Sequence, residues 1–552
     1  MKKVVICLIS LFVILLSLFV FKYLKKEKEI FNISFLSSNT VSVDIYNKEF
    51  KEEFKKVRGT KVKSSIKEYE NNNIVYKKII LDNNEYYVNK ENLVSEKEKI
   101  IQEKELYIRT STIIYKEPNK QFITSSIKKG EKVDIIGYDT LNEDGSVLYY
   151  KIKYNDLVGY IYSKYLVSSL DEALKKYDEE NTYKIHEERG NKYGGGSAST
   201  LDYYPNKKTS FENNIMPDET RCLYLNMLVI NSVDSYIEFA KTSNINCFVV
   251  DLKDETLAYK SPIAKTYSNT SYENAYNDLE SFKTNIKKLK DNNFYIIGRI
   301  TTFKDNYYAI DHPLSSIKDN RTNTSYKASS SYWPSAYKRD VWEYNVSLAL
   351  EAVELFSFNE IQFDYVRFPD NTYSYERLGY IDFQNEYNET KAEAIQQFIQ
   401  YATDNLHRVN AYISVDVFGE AAHDYVTAYG QYWPAISNIV DVISAMPYPD
   451  HFTAHYYGIN EIVWTVPYKL LKTWGSYAKE RQSEISTPAK VRTWVQAYNT
   501  IKEPYVVYDS TKVSDQIRGL YENGLNNGYI TWNSASSLAK YKSLSDTFLQ
   551  NF

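Results

Sequence analysis

Glu360-Ile361-Gln362-Phe363-Asp364-Tyr365-Val366-Arg367-Phe368-Pro369-Asp370 decides how the chain is read. Its front half has the β-branched and aromatic composition of a buried strand, and it runs into a carboxylate, a tyrosine and an arginine before Pro369 stops it. Burying Asp364 and Arg367 in an apolar sheet would cost several kcal/mol unless they faced a wet cleft or each other. The stretch therefore predicts a strand whose last residues line a cleft, with Arg367 as the counter-charge of Asp364.

Working outward, strand-like runs recur at 221–229, 246–254, 294–303, 360–368, 411–419, 440–448, 491–499 and 528–535. Segments able to form helices follow them, among them 233–242, 274–292, 340–358, 387–405 and 514–526. Strand-then-helix units in this number predict an α/β fold of the (β/α)8 TIM-barrel type rather than an open doubly wound sheet. No Gly-rich phosphate loop follows the first strand, which further disfavours a dinucleotide fold. Polar residues gather at the strand ends: Asp251, Asp254 and Glu255, then Arg299 and Asp305, Asp364 and Arg367, Asp416 and Glu420. Tyr448 follows with Asp450 and His451, then Gln496, and Trp532 with Asn533. In such a barrel these ends converge on one face, where active sites are built.

The segments Phe248-Val249-Val250-Asp251-Leu252-Lys253-Asp254, 360–369, 413–419, 440–449 and Gly528-Tyr529-Ile530-Thr531-Trp532-Asn533 resemble a family of barrels described as glycoside hydrolases. The resemblance spans about 222–536. It implies cleavage of O-glycosyl bonds in a polysaccharide, which needs two carboxyl groups flanking the bond. Asp364 is the expected nucleophile or stabilising carboxylate, Asp416 the partner acid, and Glu420 its substitute. Asp251, Asp254 and Glu255 are expected to hold sugar hydroxyls, and Arg299, Arg367, Tyr448, Gln496, Trp532 and Asn533 to shape the subsites. A catalytically inactive glycan-binding barrel serving as a wall scaffold is the alternative. Trp342, Trp433 and Trp474 fall in helical contexts and read as core. Six histidines without metal spacing give no reason for a metal, and no cofactor is expected.

The 552-residue chain has room for several domains, and its formal net charge of −4 argues against a nucleic-acid partner. The 54 tyrosines are equally consistent with genome bias and with ring faces for sugars. Cys222 and Cys247 read as core residues, with no disulfide framework among the three cysteines.

Residues 4–21 are apolar but for two serines and are flanked by lysines, which predicts a signal-anchor transmembrane helix within 1–30. That expectation makes the membrane a partner and places the protein in the cell membrane, single-pass, with its bulk extracellular. Secretion after signal cleavage is the rival outcome.

Residues 31–100 and 101–168 carry a weak internal repeat. Arg58-Gly59-Thr60-Lys61-Val62 is echoed by Lys129-Gly130-Glu131-Lys132-Val133, and Val75-Tyr76-Lys77-Lys78-Ile79 by Leu148-Tyr149-Tyr150-Lys151-Ile152. The repeat predicts one or two small all-β barrels. The second copy resembles the bacterial SH3-like domain, which implies binding of cell-wall polymer; a spacer role is the alternative. A linker over 169–220, with the run Gly194-Gly195-Gly196-Ser197-Ala198-Ser199, is read as flexible and as the boundary before a barrel domain at 221–552.

Overall fold

The computed structural model describes residues 29–177, 182–190 and 192–552. The chain divides into two compact units, one of the residues up to Leu106 with Lys132–Ser168, the other of Tyr107–Glu131 with Ser169–Phe552.

The larger unit is a parallel barrel of strands β1 (Thr220–Leu225), β2 (Cys247–Asp254), β3 (Tyr295–Thr301), β4 (Glu360–Asp364), β5 (Tyr412–Phe418), β6 (Val442–Met446), β7 (Lys490–Val491, continuing as Thr493–Gln496) and β8 (Gly528–Trp532). Neighbours pair in the order β7-β6-β5-β4-β3-β2-β1-β8-β7. The ring's two ends meet in β7, which is interrupted only at Arg492. Val442 registers with Lys490 on one flank of that strand, and Tyr529 with Thr493 on the other.

Every residue of β1, β3 and β4 is buried, the signature of strands covered on both faces. Along β4 the alternation is plain. Phe363 points outward and meets the helix residue Phe398 with ring centroids 5.5 Å apart. Glu360 is buried and accepts hydrogen bonds from Tyr295 Oη at 2.9 Å and Arg492 Nη1 at 2.8 Å.

A helix follows each strand. Lys391–Arg408, after β4, shows why: Thr390 and Glu393 close a capping box at its start, and Ala394, Ile395, Phe398, Ile399, Ala402 and Leu406 form the stripe it buries. Trp342, Trp433 and Trp474 are fully buried. Tyr107–Glu131 packs on this helical layer: Ile123 N donates to Glu343 Oε2 at 2.9 Å, Arg339 Nε to Ser126 Oγ at 2.7 Å, and Tyr401 Oη to the Gln121 carbonyl at 2.5 Å.

In the smaller unit, Lys61–Asn71, Ile74–Leu81 and Asn84–Asn89 form an antiparallel meander. Lys132–Tyr138, Tyr149–Tyr154 and Leu157–Tyr162 repeat it. Each meander leads into a single 3-10 turn and a two-residue strand, Leu93–Val94 in the first copy and Leu166–Val167 in the second.

Three expectations are corrected. The transmembrane helix over 4–21 lies outside the described residues, and among those described no helix is long and apolar enough to cross a membrane. The two longest, Arg339–Phe356 and Lys391–Arg408, carry charged residues along their length. Among the described residues nothing supplies the membrane partner or the single-pass localisation expected from that helix.

Cys222 and Cys247 are not plain core thiols: parallel register sets them side by side, Cα atoms 4.3 Å apart, and they form a disulfide. Nor is the glycine run a flexible linker. A Cβ on Gly195 would lie 1.8 Å from the Thr427 carbonyl oxygen, and Gly196, at φ +122°, sits against Thr390. These glycines let the backbone press onto the barrel's helices. The same segment is tied down by Arg189, whose guanidinium donates to both oxygens of Glu484 at 2.5 and 2.8 Å.

Candidate active site

β2 and β3 pair with Asp251 opposite Arg299, and β3 and β4 with Thr301 opposite Asp364. This register gathers three carboxylates around one guanidinium. Arg299 Nη1 donates to Asp251 Oδ1 at 2.7 Å, and Nη2 and Nε donate to Asp364 Oδ2 at 2.7 and 3.2 Å. Asp254 Oδ1 lies 3.7 Å from Nη1. Burial works against the charge on Arg299, but Asp251, Asp364 and Asp254 hold its pKa well above the ordinary value.

The other oxygen of Asp364 accepts the Tyr365 backbone N–H at 2.6 Å, so the carboxylate is held from two sides. Tyr365 itself adopts the left-handed conformation, φ 52°, and turns the chain out of the strand. The ion pair expected from Arg367 is thus made by Arg299. Arg367 instead donates to the Phe368 carbonyl at 3.0 Å and to Asp370 at 3.2 Å, with its guanidinium 4.3 Å from the Phe418 ring centroid.

Asp251 is buried beneath this cluster and also accepts a hydrogen bond from the Tyr224 hydroxyl. Burial pushes its carboxyl up to about 7, with Arg299 opposing. Asp416 follows the registered pair Phe363 and Val415 on adjacent strands, so it stands level with Asp364. It is almost wholly buried, and its Oδ1 accepts Trp494 Nε1 at 2.8 Å. Burial raises its carboxyl well above the usual carboxylate range, and the neighbouring Asp364 charge adds to the rise.

Above these groups opens a cleft of about 240 Å³ whose walls include Asp254, Asp364, Lys304, Tyr365, Tyr448 and Trp532. Tyr448 and Trp532 stack with their planes 23° apart, and Trp494 meets Trp532 edge-on. Asp416 is buried and does not line this cleft. Glu420 sits in an adjoining hollow, where Tyr425 Oη and Tyr429 Oη donate to its two oxygens at 2.9 and 3.0 Å.

Glu255, expected on sugar hydroxyls, is engaged by Lys304 at 2.6 Å and by the Ser331 hydroxyl. Gln496 and Asn533 are buried and brace loops: Gln496 Oε1 accepts the Asp450 N–H at 3.2 Å, and Asn533 Nδ2 donates to the Ala497 carbonyl at 3.2 Å. Tyr224, Lys304, Tyr365, Phe418, Met446 and Trp494 join the site without having been singled out in the sequence. Trp494 was the most accessible of them, lying two residues before Gln496 and so on the same face of its strand. Among the described residues no cluster of three or more His, Cys, Asp or Glu side chains is placed to hold a metal.

Residues 222–538, more than half of the chain, match the family model described as "Putative glycosyl hydrolase domain". No curated protein matches the chain. Among solved structures, a hypothetical protein from Ruminiclostridium thermocellum ATCC 27405 is 29% identical over 35% of this chain and 97% of its own, with a TM-score of 0.30. The glycoside hydrolase domain of PgaB (BpsB) from Bordetella bronchiseptica is 12% identical over 60% of this chain and 100% of its own, with a TM-score of 0.42. The spore cortex-lytic enzyme SleL of Bacillus megaterium QM B1551 is 12% identical over 60% and 74%, with a TM-score of 0.37.

Proposed function

The chain belongs to the "Putative glycosyl hydrolase domain" family, and from that premise we propose that it hydrolyses O-glycosidic bonds of a polysaccharide at the Asp364 cleft. The observation that carries the reading is a carboxylate fixed at a strand end in a cleft that it shares with stacked aromatic rings. Rings of this kind offer faces to the apolar C–H patches of a sugar, and a carboxylate beside them can attack an anomeric carbon or activate a water.

Asp364 attacks or activates water. Arg299 and the Tyr365 N–H orient it. Asp416, whose carboxyl burial and the neighbouring Asp364 charge raise well above the usual carboxylate range, is the acid of the pair. Asp254, on the cleft wall and sharing Arg299, binds sugar hydroxyls. Incubation with purified wall and exported polysaccharides, measuring new reducing ends, tests the reading. Asp364→Asn is expected to lower turnover by about 10²–10⁴-fold while keeping the circular dichroism spectrum of the folded parent, with a lowered melting temperature because the buried Arg299 loses one of its counter-charges. Near-normal activity in that variant removes Asp364 from the reaction.

A second reading, a barrel that holds glycan without cleaving it, is favoured by the burial of Asp416 off the cleft lining. It expects saturable polysaccharide binding with no reducing ends released. For the upstream meanders, the SH3-like, wall-binding reading is supported by their repeated strand pattern. Retention of the whole chain on isolated cell wall checks it.

A further inference from the structure

We propose that the hollow beside the Asp364 cleft is a second glycan subsite, so that the site grips a polymer across at least two sugar units. The proposal rests on the glycan-binding half of the function proposed above. The hollow measures about 510 Å³ and is lined by Glu420, His423, Phe452, Thr453 and Tyr456. Phe418, Met446 and His451 line both it and the Asp364 cleft, so the two spaces adjoin. The cleft alone, at about 240 Å³, is smaller than the roughly 300–1,000 Å³ of ordinary ligand sites. A polymer seated on Asp364 has a built surface beside it, across the three shared residues.

The chemistry of that surface suits a neutral sugar. Tyr425 and Tyr429 donate one hydrogen bond to each oxygen of Glu420, which fixes the carboxylate and leaves it acceptor capacity for sugar hydroxyls. Lys192 lies 3.7 Å from Glu420 and balances its charge. Burial pushes the pKa values of His423 and His451 below the ordinary histidine value, which disfavours charge on both imidazoles; His423 is held through both ring nitrogens, by the Glu420 carbonyl at 3.0 Å and Tyr457 Oη at 3.2 Å, and so braces the wall. Phe452 and Tyr456, half-buried and 5.3 Å apart in a T-shaped pair, supply ring faces. The loop that carries them is turned by left-handed residues at His455 and Tyr457.

The test uses the full chain carrying Asp364→Asn, titrated calorimetrically with cello-, laminari- and chito-oligosaccharides of two and five units. At least one five-unit chain is expected to bind about tenfold more tightly than its two-unit counterpart. Adding Phe452→Ala with Tyr456→Ala is expected to erase most of that advantage. Glu420→Gln, which preserves shape, is expected to reduce it as well, and serves if the double variant fails to fold. Equal affinity for the two lengths, a loss that falls equally on both, or no binding by any of the oligosaccharides overturns the proposal. Reducing-end release by the parent protein is read separately. Length-dependent binding without release sinks hydrolysis and keeps the second subsite, whereas release without length dependence does the reverse.

Discussion

Arg299 is the residue on which the site's electrostatics turn. It is buried, it spans Asp251 and Asp364, and it depends on their charge to offset its own desolvation. Asp251 is the titrating member, with its pKa raised from 3.8 to about 7 by burial. A carboxyl raised in the folded state contributes stability that is fully present below its unfolded pKa and is lost as pH climbs to the folded one. Asp251 therefore stabilises the fold most below about pH 4, and its contribution drains away up to about pH 7. Asp251→Asn is expected to flatten that fall, as read from melting temperatures of parent and variant between pH 4 and pH 8. A parallel pair of curves would show that Asp251 is not the titrating group. At this scale the sequence located the acids but not their partners. Asp364 and its neighbours were visible because charge at a strand end is costly without a cleft. Arg299 as the partner of Asp364, in place of Arg367, was not, because that pairing follows from the register of β3 on β4 rather than from nearness in the chain.

At the scale of elements, two local features carry stability that composition concealed. The glycine run reads as a hinge, yet it lies against Thr427 and Thr390 so closely that side chains are excluded. Gly195→Ala is expected to cost about 1–3 kcal/mol through overpacking, seen as a lowered denaturation midpoint. An unchanged midpoint would restore the flexible reading. The Cys222–Cys247 disulfide joins neighbouring parallel strands across a sequence separation of 25. Replacing both cysteines by serine is expected to remove about 3 kcal/mol on the loop-closure argument, measured by chemical denaturation without reductant. Equal midpoints for parent and double variant would refute it. The eight strands and five of the six longest helices among the described residues were legible from period and composition, Pro467–Gln482 being the exception. The pairing of two lone cysteines was not, since only the register of β1 on β2 brings them together.

For the whole molecule, the barrel unit is larger than the stretch that matches the family. Tyr107–Glu131 belongs to it by packing, through Gln121, Ile123 and Ser126 on the helices that follow β3 and β4. Nothing in the sequence separates those residues from the β repeat in which they sit; only their packing assigns them to the barrel unit. Trimming the gene at the family's first residue would strip a strap from the outer helices, leaving Arg339 and Tyr401 without partners there and a seam of helix bare to water. The shortest clone to express for assays is therefore one that retains this upstream segment, and aggregation of a shorter one would say nothing about whether the barrel binds or cuts sugar.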